Sequence, residues 1–194
     1  MDLYQEALDR LQSLLRQAAD TGLAEPTAMT LATVDAGGRP TARTVLLKAI
    51  DARGLVFYTN TLSRKGRALA ANPRAALCFF WQPLLAQVLV EGSAEPVAAA
   101  EADAYWATRP RASQLGAWAS LQSEPLRSRQ ELEQRYADYE ARYAGQPVPR
   151  PPHWSGYRVV PDLVEFWLSR PGRLHERERY VREADGWRKL LINP

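Results

Sequence analysis

The sequence predicts a mainly β fold of the α+β class, a small antiparallel barrel with peripheral helices. Three observations lead to it. Short runs rich in Thr, Val, Leu and Ile are separated by tight turn signals, and such turns join antiparallel neighbours, whereas parallel pairing needs a long crossover. Segments of helical period interrupt those runs. No Gly-x-Gly-x-x-Gly follows a strand, which argues against a doubly wound nucleotide-binding sheet. At 194 residues, against a prior of about 150 per domain, residues 1–194 read as one domain.

The chain opens with Leu3, Leu8, Leu11, Leu14, Leu15 and Ala18 at helical spacing. Asp2 and Gln5 are placed like a capping box, and Asp20-Thr21-Gly22 closes this N-terminal helix within residues 1–22. The period then shortens. Met29 to Val34, Thr41 to Ile50 and Leu55 to Thr59 read as strands, with turns at Asp35-Ala36-Gly37-Gly38 and Asp51-Ala52-Arg53-Gly54, so the three predict an antiparallel meander. Ser63 to Ala71 is a short helix stopped by Asn72-Pro73. Ala75 to Trp81 and Gln87 to Ala94 are strands around a Gln82-Pro83 turn. A helical insertion over 96–145 follows: Pro96 to Thr108, Ala112 to Ser120 after the Arg109-Pro110 break, and Pro125 to Tyr143 with Leu126, Leu132, Tyr136 and Tyr139 along one side. Gln146 to Pro152 is an extended Pro-rich linker. Residues 153–194 return to strands: Tyr157 to Val160, Leu163 to Leu168, Leu174 to Arg182 and Trp187 to Ile192.

Composition narrows the function classes. With 46% hydrophobic and 24% charged residues the chain is globular, and its longest apolar run, Ala75 to Trp81, is strand-sized, so no membrane partner is expected. The start, Met1 to Glu6, lacks the basic and apolar regions of a signal peptide, and Cys78 has no partner cysteine. A cytoplasmic location is expected. Two histidines and one cysteine predict no metal site. A net charge of +3 with interspersed acids predicts no nucleic-acid partner.

The chemistry-bearing residues are cationic. If Ser63 caps its helix, Arg64 and Lys65 lie in the first turn, where each cation costs about 0.3–1 kcal/mol against the helix dipole. A bound anion removes that conflict, since backbone N–H groups and two cations then converge on it; otherwise the segment is a solvated basic turn. Arg43 and Lys48 bracket the run Thr44-Val45-Leu46-Leu47. Strand alternation sets the two cations on opposite faces, so they serve different ligands or different lobes of one site, or mark strand ends reaching water. Arg173, His175 and Arg177 fall at i, i+2 and i+4 on one face of a strand, repelling unless an anion or electron-rich ring lies among them; the alternative is a charged edge strand. Tyr105, Arg109 and Ser113, spaced by four, supply donors suited to a phosphate monoester if the helix continues past Pro110, or are incidental at a helix end. Gln122, Ser123 and Trp167 carry weaker signals. With no nucleophile–base pair, the hard chemistry falls to a bound anionic cofactor.

Several stretches resemble the pyridoxamine 5'-phosphate oxidase family: Glu25-Pro26-Thr27-Ala28-Met29, Arg43 to Lys48, Phe57-Tyr58-Thr59-Asn60, Ser63-Arg64-Lys65, Arg109-Pro110-Arg111-Ala112-Ser113-Gln114-Leu115-Gly116-Ala117-Trp118, Val164-Glu165-Phe166-Trp167 and Arg173-Leu174-His175-Glu176-Arg177. They keep order from Glu25 onward. The resemblance implies an FMN-binding split β-barrel working as a homodimer, with flavin between subunits. It also implies oxidation of pyridoxamine or pyridoxine 5'-phosphate to pyridoxal 5'-phosphate, with molecular oxygen reduced to hydrogen peroxide. By matching position, Arg43, Lys65 and Ser123 would grip the FMN phosphate and its surroundings. The rest of the Arg43 to Lys48 run (Thr44, Val45, Leu46, Leu47 and Lys48), with Tyr58, Thr59, Arg64, Gln87, Gln122, Trp167 and Arg177, would complete the flavin site. Lys48, Tyr105, Arg109 and Ser113 would hold the substrate phosphate. Arg173 and His175 would lie against the pyridine ring as catalytic residues, orienting its 4' carbon for hydride transfer. The chain begins directly at its first helix, where many family members carry an additional N-terminal arm, and Ala86 stands where an Arg often precedes Gln87-Val88. The alternatives are a related flavin oxidase of a phenazine-type pathway and a non-catalytic protein binding flavin or B6 phosphates.

Overall fold

The computed structural model describes residues 2–194, so Met1 of the expected N-terminal segment lies outside the described residues. Helix α1 (Leu3–Asp20) buries Ala7, Leu8, Leu11 and Ala18, one stripe of its helical period. Its cap is simpler than a capping box. Asp2 accepts from the Tyr4 N–H at 2.9 Å, while Gln5 donates forward to Asp9 at 2.8 Å instead of back to Asp2.

Two hairpins follow, β1 (Ala28–Val34) with β2 (Pro40–Leu46) and β3 (Ala49–Asp51) with β4 (Gly54–Asn60). Helix α2 (Arg64–Ala71), β5 (Arg74–Trp81) and β6 (Ala86–Pro96) come next, then α3 (Ala99–Thr108), α4 (Arg111–Ala119) and α5 (Arg129–Arg142). Strands β7 (Trp154–Leu168), β8 (Glu176–Glu183) and β9 (Gly186–Leu191) end the chain. All pairings are antiparallel, in the order β2-β1-β5-β6-β7-β4-β3.

The expected three-stranded meander is corrected by this order, because β2 and β4 sit toward opposite ends of the sheet. The Thr41 to Ile50 run breaks at Leu47-Lys48. The Leu47 N–H donates to the Thr27 carbonyl at 2.9 Å, extending the first hairpin's ladder, and the next N–H, Lys48, donates to Val56 at 2.8 Å in the second. One peptide step thus joins the sheet's two ends and curls it toward a barrel. The split lies at β7. Its residues 157–168 pair with β6 along one edge; on the other, residues 154–159 pair with β4 and 163–168 with β8.

That long strand also corrects the expectation of two strands broken at Pro161. Proline lacks an N–H and is tolerated at a bulge, and Pro161 pairs with Gly92 where the register shifts between Glu91 and Gly92. A Cβ on Gly92 would stand 2.1 Å from the Val160 carbonyl, so the bulge needs glycine for close approach. Two further boundaries move. Ser128 caps α5 by accepting from the Glu131 N–H at 3.2 Å, leaving Leu126 before the helix and exposed. The strand expected from Leu174 begins at Glu176, because Pro171–Arg173 forms a 3-10 turn with Gly172 and Arg173 at φ +68° and +61°.

The core follows the period of two. Met29 and Leu31, Leu77, Phe79 and Trp81, and Val88 and Val90 all point inward and meet the α1 stripe. A second cluster under the helical insertion gathers Trp106, Leu115, Val148 and Trp154. The Pro-rich segment is extended as expected but clamped, for Trp106 and Trp118 each donate an indole N–H at 2.8 Å, to the carbonyls of Val148 and Pro149. No described helix is long and apolar enough to cross a membrane.

Candidate functional site

The end of β2, the far end of β4, α2, the exit of α3, α4 and the start of β7 line a cavity of about 610 Å³. Its wall contains Arg43, Thr44, Val45, Leu46 and Lys48 from the first hairpin and its exit, and Tyr58, Thr59 and Asn60 from β4. Lys65 comes from α2, Tyr105 and Arg109 from α3 and its exit, Ser113 and Gly116 from α4, then Gln122, and Trp154 from β7. Among the described residues this wall carries four cations, Arg43, Lys48, Lys65 and Arg109, and no carboxylate.

Ser63 caps α2, accepting from the Gly66 N–H at 3.3 Å. The neighbouring Arg64 N–H donates to Ser123 Oγ at 3.1 Å, with Ser123 held at φ +76°. Lys65 folds into the cavity and donates to Gln122 (2.9 Å), Thr59 (3.1 Å) and Ser63 (3.4 Å), all neutral oxygens. Burial, then repulsion from Arg43, pulls its ammonium below the usual lysine range. Arg43 donates to the Leu31 carbonyl, Thr33 and Thr41, again neutral, and burial followed by Arg64 lowers it too. These two cations are fixed by the fold and, among the described residues, hydrogen-bond only to neutral oxygens, an arrangement whose positive potential favours an anion.

Part of the lining is aromatic. Tyr58 stacks on Tyr105 (4.1 Å, 8°) and on Trp154 (5.2 Å, 3°), and the Arg109 guanidinium lies 4.6 Å over Trp154 while donating to the Ser113 carbonyl at 3.2 Å. Burial lowers Arg109 as well. A buried arginine ties α3 to the sheet, as Arg158 donates to Asp51 of β3 at 2.7 Å and to Glu101 of α3 at 2.8 Å.

Arg43 and Lys48, expected to face apart, share this cavity. Lys48 follows the break after β2, so strand alternation no longer governs it. Tyr105, Arg109 and Ser113 share it too, although α3 stops at Thr108 and Pro110 caps a new helix. Leu47 does not; its side chain is buried in the core. Arg64 and Ser123 stand beside the cavity at the α2 N-terminus.

The remaining expected residues form a separate group. Gln87, Trp167 and Arg177 are cross-strand neighbours on β6, β7 and β8, and His175 lies 4.7 Å from the Trp167 ring. None of them walls the cavity. The single strand face expected for Arg173, His175 and Arg177 is corrected, since Arg173 is in the 3-10 turn and His175 precedes β8. His175 Nδ1 instead accepts the Arg170 N–H at 3.1 Å. Of the lining residues, Asn60 and Gly116 lie in stretches quoted for the resemblance without a role of their own, and Trp154 and Ser120 were not singled out from the sequence. An aromatic residue two positions after a Pro-rich segment is the one signal Trp154 offered.

The chain is similar to known proteins over nearly its whole length. Residues 15–143 match the family profile "Pyridoxamine 5'-phosphate oxidase", and residues 154–194 match "Pyridoxine 5'-phosphate oxidase C-terminal dimerisation region". The pyridoxine/pyridoxamine 5'-phosphate oxidase of Myxococcus xanthus (strain DK1622) is 58% identical over 189 residues, 97% of this chain and 92% of that protein. The protein of the same name from Alkalilimnicola ehrlichii is 58% identical over 100% of both. Among solved structures, PhzG from Burkholderia lata 383 in complex with tetrahydrophenazine-1-carboxylic acid superposes with a TM-score of 0.91 at 34% identity, covering 96% of this chain and 91% of that one. With both halves of the sequence matched in order and relatives aligned end to end, this chain belongs to the pyridoxamine 5'-phosphate oxidase family.

Proposed function

We propose that the protein is an FMN-dependent oxidase converting pyridoxamine or pyridoxine 5'-phosphate to pyridoxal 5'-phosphate, as its relatives' names describe. One observation carries the reading: a cavity with four cations, no carboxylate and a stacked aromatic wall. Its volume lies within the roughly 300–1,000 Å³ of small-molecule sites, and its donors fit two phosphorylated aromatic molecules. Arg43 and Lys65, with Arg64 and Ser123 at the α2 N-terminus, would hold the FMN phosphate. Lys48, Tyr105, Arg109 and Ser113 would hold the substrate phosphate. When bound, FMN supplies a two-electron acceptor that passes the electrons to molecular oxygen, giving hydrogen peroxide.

The Gln87, Trp167, His175, Arg177 group lies outside this cavity, so we read the site as shared between two copies of the chain, one giving the cavity and the other that group. The match of residues 154–194 to a dimerisation region supports this reading. In it Arg173 and His175 orient the substrate ring, and positioning of that kind can supply up to ~7–11 kcal/mol of barrier reduction in ideal intramolecular cases. Purified protein is expected to be yellow with a flavin spectrum and to release peroxide with pyridoxine 5'-phosphate. Flavin without turnover on either B6 phosphate, together with turnover of a reduced phenazine carboxylate, would move the assignment to the chemistry of the PhzG relative.

A further inference from the structure

Glu165 is a buried carboxylate, 3% exposed, near the C-terminal end of β7. A charge there is tolerated only when paired. Both oxygens are taken by arginines from β8. Arg177 donates Nε and Nη2 to Oε1 at 2.9 and 2.7 Å, and Arg179 donates Nε and Nη2 to Oε2 at 3.0 and 2.8 Å. The third nitrogen of Arg177 donates to the Asn193 carbonyl at 3.1 Å, and the Arg177 carbonyl accepts the Ile192 N–H at 3.1 Å, so the C-terminal tail closes over the same residue. A guanidinium has five N–H donors. Three are spent on these contacts, and among the described residues two are left over for a ligand. Arg177 is also the direct cross-strand partner of Trp167.

We propose that Glu165 is the positioning residue of the flavin site: it locks the Arg177 guanidinium beside Trp167 so that its two remaining N–H donors meet the flavin in a fixed orientation. The inference rests on the reading of Arg177 as a flavin contact. Arg177 and Arg179 are two apart on one face of β8, so without the carboxylate between them they repel. A planar fork held at two points has little rotamer freedom left to lose on binding.

The test is a double-mutant cycle on FMN affinity, read by quenching of flavin fluorescence on titration into the FMN-stripped full-length protein, with apoprotein melting recorded alongside. Glu165→Gln keeps the shape and removes the charge; FMN affinity is expected to fall about tenfold. Arg177→Ala is expected to cost about as much, and the double variant no more than Arg177→Ala alone. A merely structural role for Glu165 would make the two losses add, which overturns the inference. Arg177→Lys keeps the positive charge without the fork and answers the question even if Glu165→Gln does not fold. It is expected to bind FMN as poorly as Arg177→Ala, and wild-type affinity in it overturns the positioning role. Unchanged affinity in Arg177→Ala overturns the flavin assignment of Arg177 and this inference with it. Loss in Arg177→Ala with none in Glu165→Gln overturns only the latter.

Discussion

Lys65 shows what a single residue in this site costs and gains. It is half-buried among neutral oxygens with Arg43 nearby, and both burial and that neighbour disfavour its charge. A lysine lowered on folding binds its proton less tightly in the folded state than in the unfolded one. Between its lowered value and the ordinary lysine range, near 10.5, the unfolded chain therefore holds more protons, and stability rises with pH. Below that window the cost of the buried charge is constant. Lys65→Met is expected to melt no lower than wild type when stripped of FMN and to lose this alkaline gain, both read by thermal melts across pH. The same variant is expected to lose FMN affinity by about 1.5–3 kcal/mol, roughly ten- to a hundredfold, read by flavin titration. This residue was legible beforehand, because Ser63-Arg64-Lys65 sets cations against a helix dipole and that conflict is local in sequence. Trp154 was not, since its stacking partner Tyr58 lies almost a hundred residues earlier and only the β4–β7 pairing brings them together.

Among elements, α2 and α1 make opposite demands. Helix α2 must approach the chain so closely that a Cβ on Gly66 would stand 2.1 Å from the Thr61 carbonyl, backbone that has no room to give. Gly66→Ala is therefore expected to lower stability by about 1–3 kcal/mol in denaturant unfolding, despite alanine's better helix propensity. It is also expected to weaken FMN retention, because the α2 N-terminus moves with it. Helix α1 is held by charges at its rim. Glu6 accepts from Tyr180 at 2.7 Å and Lys189 at 2.8 Å, and Arg10 pairs with Glu178. The Lys189 hydrogen bond, then that of Tyr180, holds the Glu6 carboxyl below the usual range. A carboxyl lowered on folding contributes stability that is complete above about 4.5 and is lost as pH falls through its folded value. Glu6→Gln is accordingly expected to flatten the acid limb of the melting-temperature profile. The strands were legible wherever one face is buried, as in Leu77, Phe79 and Trp81, since alternation is then enforced. It failed at Pro161, where a residue that usually ends a strand sits at a bulge instead, and at Leu47-Lys48, where one peptide step changes neighbours without changing composition.

On the scale of the whole molecule, the cationic cavity and the Trp167 group are built by different parts of one sheet, the first where its two ends meet and the second beyond the split in β7. Sequence order could not reveal this separation, because Arg43, Lys65, Trp167 and Arg177 read as one list until the strand order assigns each to its place. Two-fold symmetry makes the separation testable. On the proposed reading, each site of a symmetric dimer takes the cavity of one copy and the Trp167 group of the other. Lys65→Met damages only the cavity and Arg177→Ala only the second group. In a mixed dimer of these two variants, one site receives both lesions and the other receives neither. Refolding the variants together in equal amounts gives about half mixed dimers by random pairing, so about a quarter of all sites are intact. Peroxide release with pyridoxine 5'-phosphate is then expected to recover to roughly a quarter of the wild-type rate, well above either variant alone. If each copy carried its own complete site, every site in the mixture would hold one lesion or the other, and co-refolding would give only the average of the two crippled rates.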